Sequence, residues 1–197
     1  ARSVDAGRAR LLAFAREVNA GLDRLGFPLC TGNVMAGNRE LCLTVDEWQA
    51  KFLVWIRQPT PHALLNANIV FDFRAIYGAS PLADRLRTWL FGYTQANPSF
   101  LRLMTQNALD VEPPLGLIRA FAVDDEQDVK GTLDLKTRGT RIFVDCARVF
   151  ALAHGIAETG TAARITIAGE RLGVEKRHVQ ATLHAFHFLQ LLRLRQQ

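Results

Sequence analysis

The beginning of the chain carries the clearest alternation of apolar and polar positions. Apolar residues recur there at steps of three and four, with charged residues between them: Leu11, Phe14, Val18, Leu22 and Leu25. This is the repeat of one face of an α-helix. We therefore predict an amphipathic helix over residues 8–25 that ends at Gly26.

The same repeat predicts further helices along the chain. One carries Trp48, Phe52, Trp55 and Ile56 on one face, follows a capping residue at Thr44 or Asp46, and stops before Pro59. Two later segments have a proline in or near their first turn, which suits a helix start. The remaining predicted helices cover residues 81–96, 98–109, 142–154, 161–168 and 174–193.

Other segments have the composition of β-strands. Residues 68–77 are rich in β-branched and aromatic side chains and close on Gly78, which predicts a buried strand. Residues 41–45 predict a short strand. Two more short strands, at residues 121–123 and 130–135, flank an acidic turn and predict a hairpin. The pattern as a whole predicts an α+β protein that is mostly helical.

Composition narrows the classes of protein. The 197 residues carry a net charge of +5 and no apolar run long enough to cross a bilayer, so we expect no membrane partner. Three cysteines without CxxC spacing fit a reducing cytoplasm. The basic residues are mostly arginine, which suits phosphate contacts, but charge alone equally fits solvated helix faces. They are spread along the chain, and no nucleic-acid recognition motif is present.

Asp72 is the most informative single residue, because it stands inside an apolar segment. A buried carboxylate without a partner costs several kcal/mol. Its partner could be Arg74, which would share a strand face with it, or a divalent metal ion. The sequence leaves both readings open.

Residues 131–141 form a second unusual segment, with three cations and two glycines before a predicted helix. Backbone amides at a helix start, with Lys136, Arg138 and Arg141 nearby, would suit a phosphate or an acidic partner. The alternative is a solvated turn in which Asp134 pairs with a neighbouring cation.

Several motifs, in order, make the chain similar to a known family. It resembles the nucleotidyltransferases found downstream of cyclic-nucleotide-binding and CBS domains in bacterial proteins, which are relatives of the PII-protein uridylyltransferases. The motifs that carry the resemblance are Gly26-Phe27-Pro28-Leu29-Cys30, Gly32-Asn33-Val34-Met35-Ala36, Glu47-Trp48, Phe71-Asp72-Phe73-Arg74 with Gly78, Pro113-Pro114-Leu115-Gly116, Gly131-Thr132-Leu133-Asp134-Leu135-Lys136 with Gly139, Val144-Asp145 with Ala147-Arg148, and Leu192-Arg193-Leu194-Arg195.

The resemblance implies a fold and a division into domains. It implies a partial polymerase-β-like nucleotidyltransferase sheet followed by a helical substrate-binding domain. Residues 1–80 would be the C-terminal part of the nucleotidyltransferase domain, and residues 81–197 the helical domain with its short β-hairpin.

The resemblance also implies a chemistry. Such enzymes use Mg²⁺ to transfer a nucleotidyl group from a nucleoside triphosphate to an acceptor, here a small signalling protein or a small molecule. Asp72 matches the third metal-binding carboxylate and is the catalytic candidate. The substrate-binding candidates are Arg74, Lys136, Arg141, Asp145 and Arg148. Asp145 and Arg148 could instead simply pair along a helix.

One departure from the family pattern limits this expectation. No Gly-Ser precedes an Asp-x-Asp pair anywhere in the sequence. We expect the paired metal ligands upstream of Ala1, and little metal binding or catalysis by this chain alone. The alternative function is a non-catalytic regulatory or protein-interaction module. Strand edges exposed in the partial sheet could also pair two chains into a homodimer.

Overall fold

Helices dominate the part of the chain that the structure describes. The computed structural model describes residues 2–111 and 134–195, and the chain divides into two compact units, residues 1–51 and 52–197. The helices are α1 Arg2–Arg24, α2 Val45–Arg57, α3 Pro61–Val70, α4 Ser80–Gln95, α5 Pro98–Leu109, α6 Arg141–His154, α7 Thr161–Arg171 and α8 Lys176–Arg195, with a π-helical turn Lys136–Thr140 directly before α6.

The first unit holds α1 against the segment that leads into α2. Leu12 on α1 is buried, and the Asn19 side chain accepts a hydrogen bond from the Gly37 N–H at 3.1 Å. Arg8 donates to both carboxylate oxygens of Glu47, at 2.5 and 2.7 Å. The Glu47 hydrogen bond raises the pKa of Arg8, and the Thr44 backbone N–H together with Arg8 lowers the pKa of Glu47.

Helix α2 begins at a capping box. The Thr44 hydroxyl accepts from the Glu47 N–H at 3.2 Å, and the Glu47 carboxylate accepts from the Thr44 N–H at 2.7 Å. The prediction that Thr44 or Asp46 caps this helix is confirmed for Thr44. The predicted strand at residues 41–45 is wrong, because Val45 already belongs to the capped helix, Leu41 lies in a turn and residues 42–44 have no regular secondary structure.

In the second unit an aromatic cluster forms one end of the core. The rings of Phe52 and Phe71 lie 4.9 Å apart between centroids, and those of Phe71 and Phe100 lie 6.1 Å apart. Phe52, Phe71 and Phe100 are buried. Burial of aromatic rings at these separations is a major source of stability in a small domain.

Helix α6 packs against α4, α5 and α7, so it is the central element of the second unit. The buried Thr94 hydroxyl of α4 lies 3.0 Å from the Leu90 carbonyl of its own helix and 3.3 Å from the Leu152 carbonyl of α6. Gly155 ends α6 in the left-handed conformation, with φ 63°. This lets the chain turn so that Ile156 packs with Ala151 and Ala168.

Helices α7 and α8 approach closely at a glycine. A Cβ atom placed on Gly169 of α7 would lie 2.5 Å from Cγ2 of Val179 on α8. Only a residue without a side chain therefore fits at this crossing.

The predicted strand at residues 68–77 is wrong. Thr60 caps α3 by accepting from the Ala63 N–H at 3.2 Å, Pro61 occupies the first turn, and the helix then continues to Val70. The later residues of the segment form turns that end at Gly78, with φ 87°. The capped helix start at Thr60 and Pro61 therefore determined the conformation of residues 68–70, although the β-branched and aromatic composition of the segment favours a strand.

The fold class therefore needs correction. No strand occurs in residues 2–111 or 134–195, so the partial polymerase-β-like sheet and the α+β class are overturned there, while the mostly helical character is confirmed. The predicted hairpin lies almost wholly outside the described residues. Its last residue, Leu135, has helical angles, φ −67° and ψ −17°. The helix predicted at 98–109 is present with the same bounds, and those predicted at 8–25, 81–96, 142–154, 161–168 and 174–193 are present with shifted ends.

From the sequence we also expected no membrane-spanning helix and a domain boundary at residue 80. None of the helices in the described ranges combines the length and the apolarity needed to cross a membrane. The domain boundary at residue 80 stays a prediction.

Candidate functional site

Asp72 lies between two arginine side chains. Its Oδ2 accepts hydrogen bonds from Nε and Nη2 of Arg148, at 2.9 and 2.7 Å. Its Oδ1 lies 2.7 Å from Nη1 of Arg164. The Oδ1 contact is a charge contact without hydrogen-bond alignment, since this buried oxygen accepts no well-oriented hydrogen bond. Both oxygens of the carboxylate therefore face a guanidinium group.

Asp145 is the second carboxylate of the site and also has two arginine partners. Its Oδ1 accepts from Arg148 Nη1 at 2.7 Å, and its Oδ2 accepts from Arg141 Nε at 3.1 Å. Residues 141, 145 and 148 lie on one face of α6 because they are four and three positions apart. We call Asp72, Arg141, Asp145, Arg148 and Arg164 the arginine–aspartate network.

Local structure explains how each member reaches the network. Asp72 follows the last turn of α3, where the Phe71 N–H still bonds to the Ala67 carbonyl at 2.9 Å. Arg164 lies in the first turn of α7, and its Nε donates to the Glu158 carbonyl at 2.5 Å. This second bond fixes the guanidinium plane of Arg164 with one edge toward Asp72.

Asparagine side chains extend the network. Arg148 Nη1 donates to Asn68 Oδ1 at 3.2 Å, and the Asn68 amide donates to Asn107 Oδ1 at 3.3 Å. The network thus joins α3, α5, α6 and α7 through polar groups. Such a network resists separation of its helices, because each charge would lose partners in a poorly solvated place.

The members of the network differ in burial, and the Asp72 side chain, at 24% exposure, is intermediate. Asp145, Arg148 and Arg164 are buried, at 6%, 6% and 5% exposure. The Arg141 side chain is 39% exposed and uses only Nε within the network. Arg141 is therefore the member whose terminal nitrogens can reach a ligand, while the buried members hold it in place.

The donor set around Asp72 does not fit Mg²⁺. Magnesium requires several oxygen ligands in octahedral geometry, and both oxygens of Asp72 face cationic nitrogens at 2.7 Å. No group of three acidic, histidine or cysteine side chains suited to a metal exists among the residues that the structure describes. Asp72 is accordingly a member of an ion-pair network in this fold.

The structure brings together four of the six predicted site residues: Asp72, Arg141, Asp145 and Arg148. Arg74 is exposed, and among the described residues it makes no ion pair with Asp72, whose partners are Arg148 and Arg164. Of the two readings that the sequence left open, the structure shows an ion pair, made with Arg148 and Arg164 in place of Arg74.

Lys136 lies one π turn before Arg141. The Arg141 N–H bonds to the Lys136 carbonyl, five residues back, and Lys136 is exposed. A single π turn of this kind is rare and is often found at functional sites. It places the Lys136 and Arg141 backbones in successive turns at the start of α6.

Asp134 stabilises this start. Its Oδ1 accepts from the N–H groups of Lys136 and Thr137, at 2.9 and 2.8 Å, as a helix cap does. Hydrogen bonds from Thr137 lower the pKa of Asp134. The Asp134 carboxylate therefore stabilises the described part of the segment identified from the sequence.

Sequence reasoning missed Arg164, Asn68 and Asn107. Arg164 had a detectable signal, since it shares a face of α7 with Ala168, four residues on, and an arginine on an apolar helix face needs an anionic partner. The two asparagines had no such signal, because their contacts join segments 39 and 80 positions apart.

Two apolar cavities flank α6. One of about 210 Å³ lies against α7 and α8 and includes Phe143, Ile165 and Val179 in its wall. The other, of about 310 Å³, lies against α5 and includes Leu101 and Val149. Cys146 lines both, and its burial raises the pKa of the thiol.

Family comparisons place this network in a functional context. Residues 98–197 match the family described as "Putative nucleotidyltransferase substrate binding domain". The chain belongs to this family. Residues 2–62 match the family described as "Putative nucleotidyltransferase". No curated protein and no solved structure matches the chain.

The members of the arginine–aspartate network are divided between one matched range and the segment between the two ranges. Arg141, Asp145, Arg148 and Arg164 lie in the substrate-binding range, whereas Asp72 lies between the two ranges. Asp72 therefore ties the segment that follows the nucleotidyltransferase range to α6 and α7 of the substrate-binding range. The family's description implies a nucleoside triphosphate as nucleotide donor.

Proposed function

We propose that this chain forms the substrate side of a uridylyltransferase-like enzyme, which transfers a nucleotidyl group from a nucleoside triphosphate to a protein or small-molecule acceptor. The observation that carries the proposal is the match of residues 98–197 to a nucleotidyltransferase substrate-binding family, a range that holds the four members of the arginine–aspartate network other than Asp72. A buried network that presents one partly exposed arginine is suited to an anionic substrate group.

Arg141 is the proposed contact residue. Its Nε is held by Asp145 at 3.1 Å, which leaves Nη1 and Nη2 available for two parallel hydrogen bonds to a phosphate. Lys136, one turn earlier and exposed, adds a second positive charge beside it. Asp145 and Arg148 act as positioning residues, since both are buried.

Asp72 holds no Mg²⁺ in this proposal. The acceptor atom, the leaving pyrophosphate and any metal would be handled by groups other than Asp72, because its two oxygens are already paired. What this chain's residues do is bind and orient an anionic group at the start of α6.

Calorimetric titration tests the proposal. UTP and ATP are titrated in turn into the chain and into Arg141→Ala, with and without Mg²⁺. We expect binding that weakens by about tenfold in Arg141→Ala, the loss typical of one charged phosphate contact. UTP should bind more tightly than ATP if the enzyme is uridylyltransferase-like.

The matched control is Arg177→Ala. It removes the same charge from α8, where Arg177 makes an exposed ion pair with Glu175, the residue before the helix. It should leave nucleotide affinity unchanged. If both variants lost nucleotide affinity equally, the loss would be due to the change in net charge, which would contradict the role of Arg141. Absence of binding by the folded wild-type chain would count against the nucleotide-binding proposal and favour a protein-interaction module.

A further inference from the structure

Helix α1 carries an apolar stripe that is separate from the face packed within its own unit. Its members repeat at intervals of seven, with a second series three residues after the first; they are Val4, Gly7, Leu11, Phe14, Val18, Gly21 and Leu25, the last directly after the helix. We call this set the α1 seam. The packed face of α1 instead includes Leu12 and Asn19.

The seam is open to solvent in the structure. Leu11 is 61% exposed, Phe14 65% and Leu25 76%, and Val4 and Val18 are exposed as well. A seven-residue repeat of apolar positions is the pattern of helix-to-helix pairing, since it keeps one seam facing a partner helix over several turns. The pattern therefore specifies another helix as the occupant.

Charges beside the seam indicate which helix. Arg10 and Glu17 lie on one flank, immediately before Leu11 and Val18, and both are exposed. They are seven residues apart, about 10 Å along a helix, too far to pair with each other. When two α1 helices align antiparallel with Leu11 opposite Phe14, each Arg10 faces the Glu17 of the other copy. The flank is thus complementary to itself.

We propose that the α1 seam pairs with the α1 seam of a second copy of this chain, forming an antiparallel two-helix interface with two-fold symmetry. In this arrangement Leu11 of each copy packs against Phe14 of the other, and Arg10 of each copy pairs with Glu17 of the other. Parallel pairing would place Arg10 and Glu17 opposite Ala15 and Leu22, which offer no charge. The α1 interface uses no residue of the arginine–aspartate network and no strand edge, so it differs from the homodimer that the sequence led us to expect.

Sedimentation equilibrium of the whole chain over a wide concentration range tests the interface. The wild type should form a concentration-dependent dimer. Phe14→Glu should weaken it by about tenfold or more, because it buries a charge in the seam. Phe188→Glu is the matched control, since Phe188 is 61% exposed on α8, and it should leave the dimer unchanged. Circular dichroism verifies that each variant keeps its helix content.

Charge reversal tests the orientation. Glu17→Arg should weaken the dimer by about three- to tenfold, because two like-charge contacts replace two attractive ones. The double variant Arg10→Glu with Glu17→Arg should restore the wild-type dissociation constant. A wild-type chain that stays monomeric, or a Phe14→Glu variant that dimerises like the wild type, would overturn the interface. A double variant as weak as Glu17→Arg would overturn the antiparallel pairing.

Discussion

Asp72 shows how much the setting of a single carboxylate matters. Removing one partner of a buried ion pair leaves the other charge uncompensated. We expect Asp72→Ala to lower the free energy of unfolding by about 3 kcal/mol, because the buried Arg164 loses its carboxylate partner and Arg148 keeps only the carboxylate of Asp145. Urea denaturation followed by circular dichroism measures this loss.

Asp84→Ala is the control for Asp72→Ala. Asp84 also pairs with an arginine, Arg87, at 2.9 Å, but its side chain is 61% exposed. Its loss should cost about 1 kcal/mol or less. If the two variants lost equal free energy of unfolding, the Asp72 ion pairs would contribute no more than a surface ion pair, which would contradict the stabilising role given to Asp72.

Asp134 gives a pH-dependent prediction at the same scale. Its pKa is lowered in the folded chain by hydrogen bonds from Thr137. The contribution of Asp134 to stability is therefore fully present above the unfolded pKa and is lost as the pH falls through the folded pKa. Asp134→Ala should destabilise the chain by about 1 kcal/mol at neutral pH, and the difference should shrink in acid.

Urea midpoints of wild type and Asp134→Ala, compared at neutral pH and at about pH 3, check this expectation. Glu170→Gln, which neutralises an exposed carboxylate on α7, serves as reference for general charge effects. A wild-type-to-variant difference that stays constant between the two pH values would contradict the role given to the Asp134 carboxylate.

The sequence could identify part of the site at residue level. Asp72 stood out because a carboxylate in an apolar segment needs a partner, and the need was real. Its partners were not predictable from local spacing: Arg148 lies 76 positions away. Arg74 was two residues away, but its place on the same strand face as Asp72 depended on a strand that does not form.

At the scale of elements, the crossing of α7 and α8 makes a sharp prediction. Gly169→Ala would place a Cβ 2.5 Å from the stiff Val179 side chain. We expect a loss of about 1–3 kcal/mol, as for other overpacked contacts. Adding Val179→Ala should recover much of it by making room. Thermal unfolding of the single and double variants measures both effects.

Gly92→Ala is the matched control for this substitution. Gly92 lies inside α4, and a Cβ there would meet nothing within 4 Å. The change should stabilise the chain by about 0.5–1 kcal/mol, because alanine restricts the unfolded chain more than glycine does. If Gly92→Ala destabilised the chain as much as Gly169→Ala, the close approach of Gly169 to Val179 would not explain the loss.

The helices were predictable because their signals are local. Thr44 and Glu47, and Pro98 at the start of α5, mark their helices through neighbours within one turn. The segment from residue 68 to 77 misled the prediction because β-branched and aromatic residues also occur at a helix end. The Thr60–Pro61 start lies outside that segment and decided its conformation.

At the scale of the whole molecule, the sequence predicted a mostly helical chain but not the absence of strands from residues 2–111 and 134–195. The expected sheet came from the family resemblance together with composition, and the family match is confirmed while the sheet is absent from the described residues. The contacts that organise the second unit join Asp72 to Arg148 and Arg164, and Phe71 to Phe100. Such pairings follow from how helices pack and are not encoded in any local pattern.

The position of Cys146 between two cavities makes its thiol a reporter of motion around α6. Cys146 is partly buried and its thiol has a raised pKa, whereas Cys30 is exposed. An alkylating reagent should therefore modify Cys30 rapidly and Cys146 only when α5 or α7 moves away from α6. Mass spectrometry of the peptides distinguishes both sites from the half-buried Cys42, and the delay between Cys30 and Cys146 would time the opening of the second unit's interior.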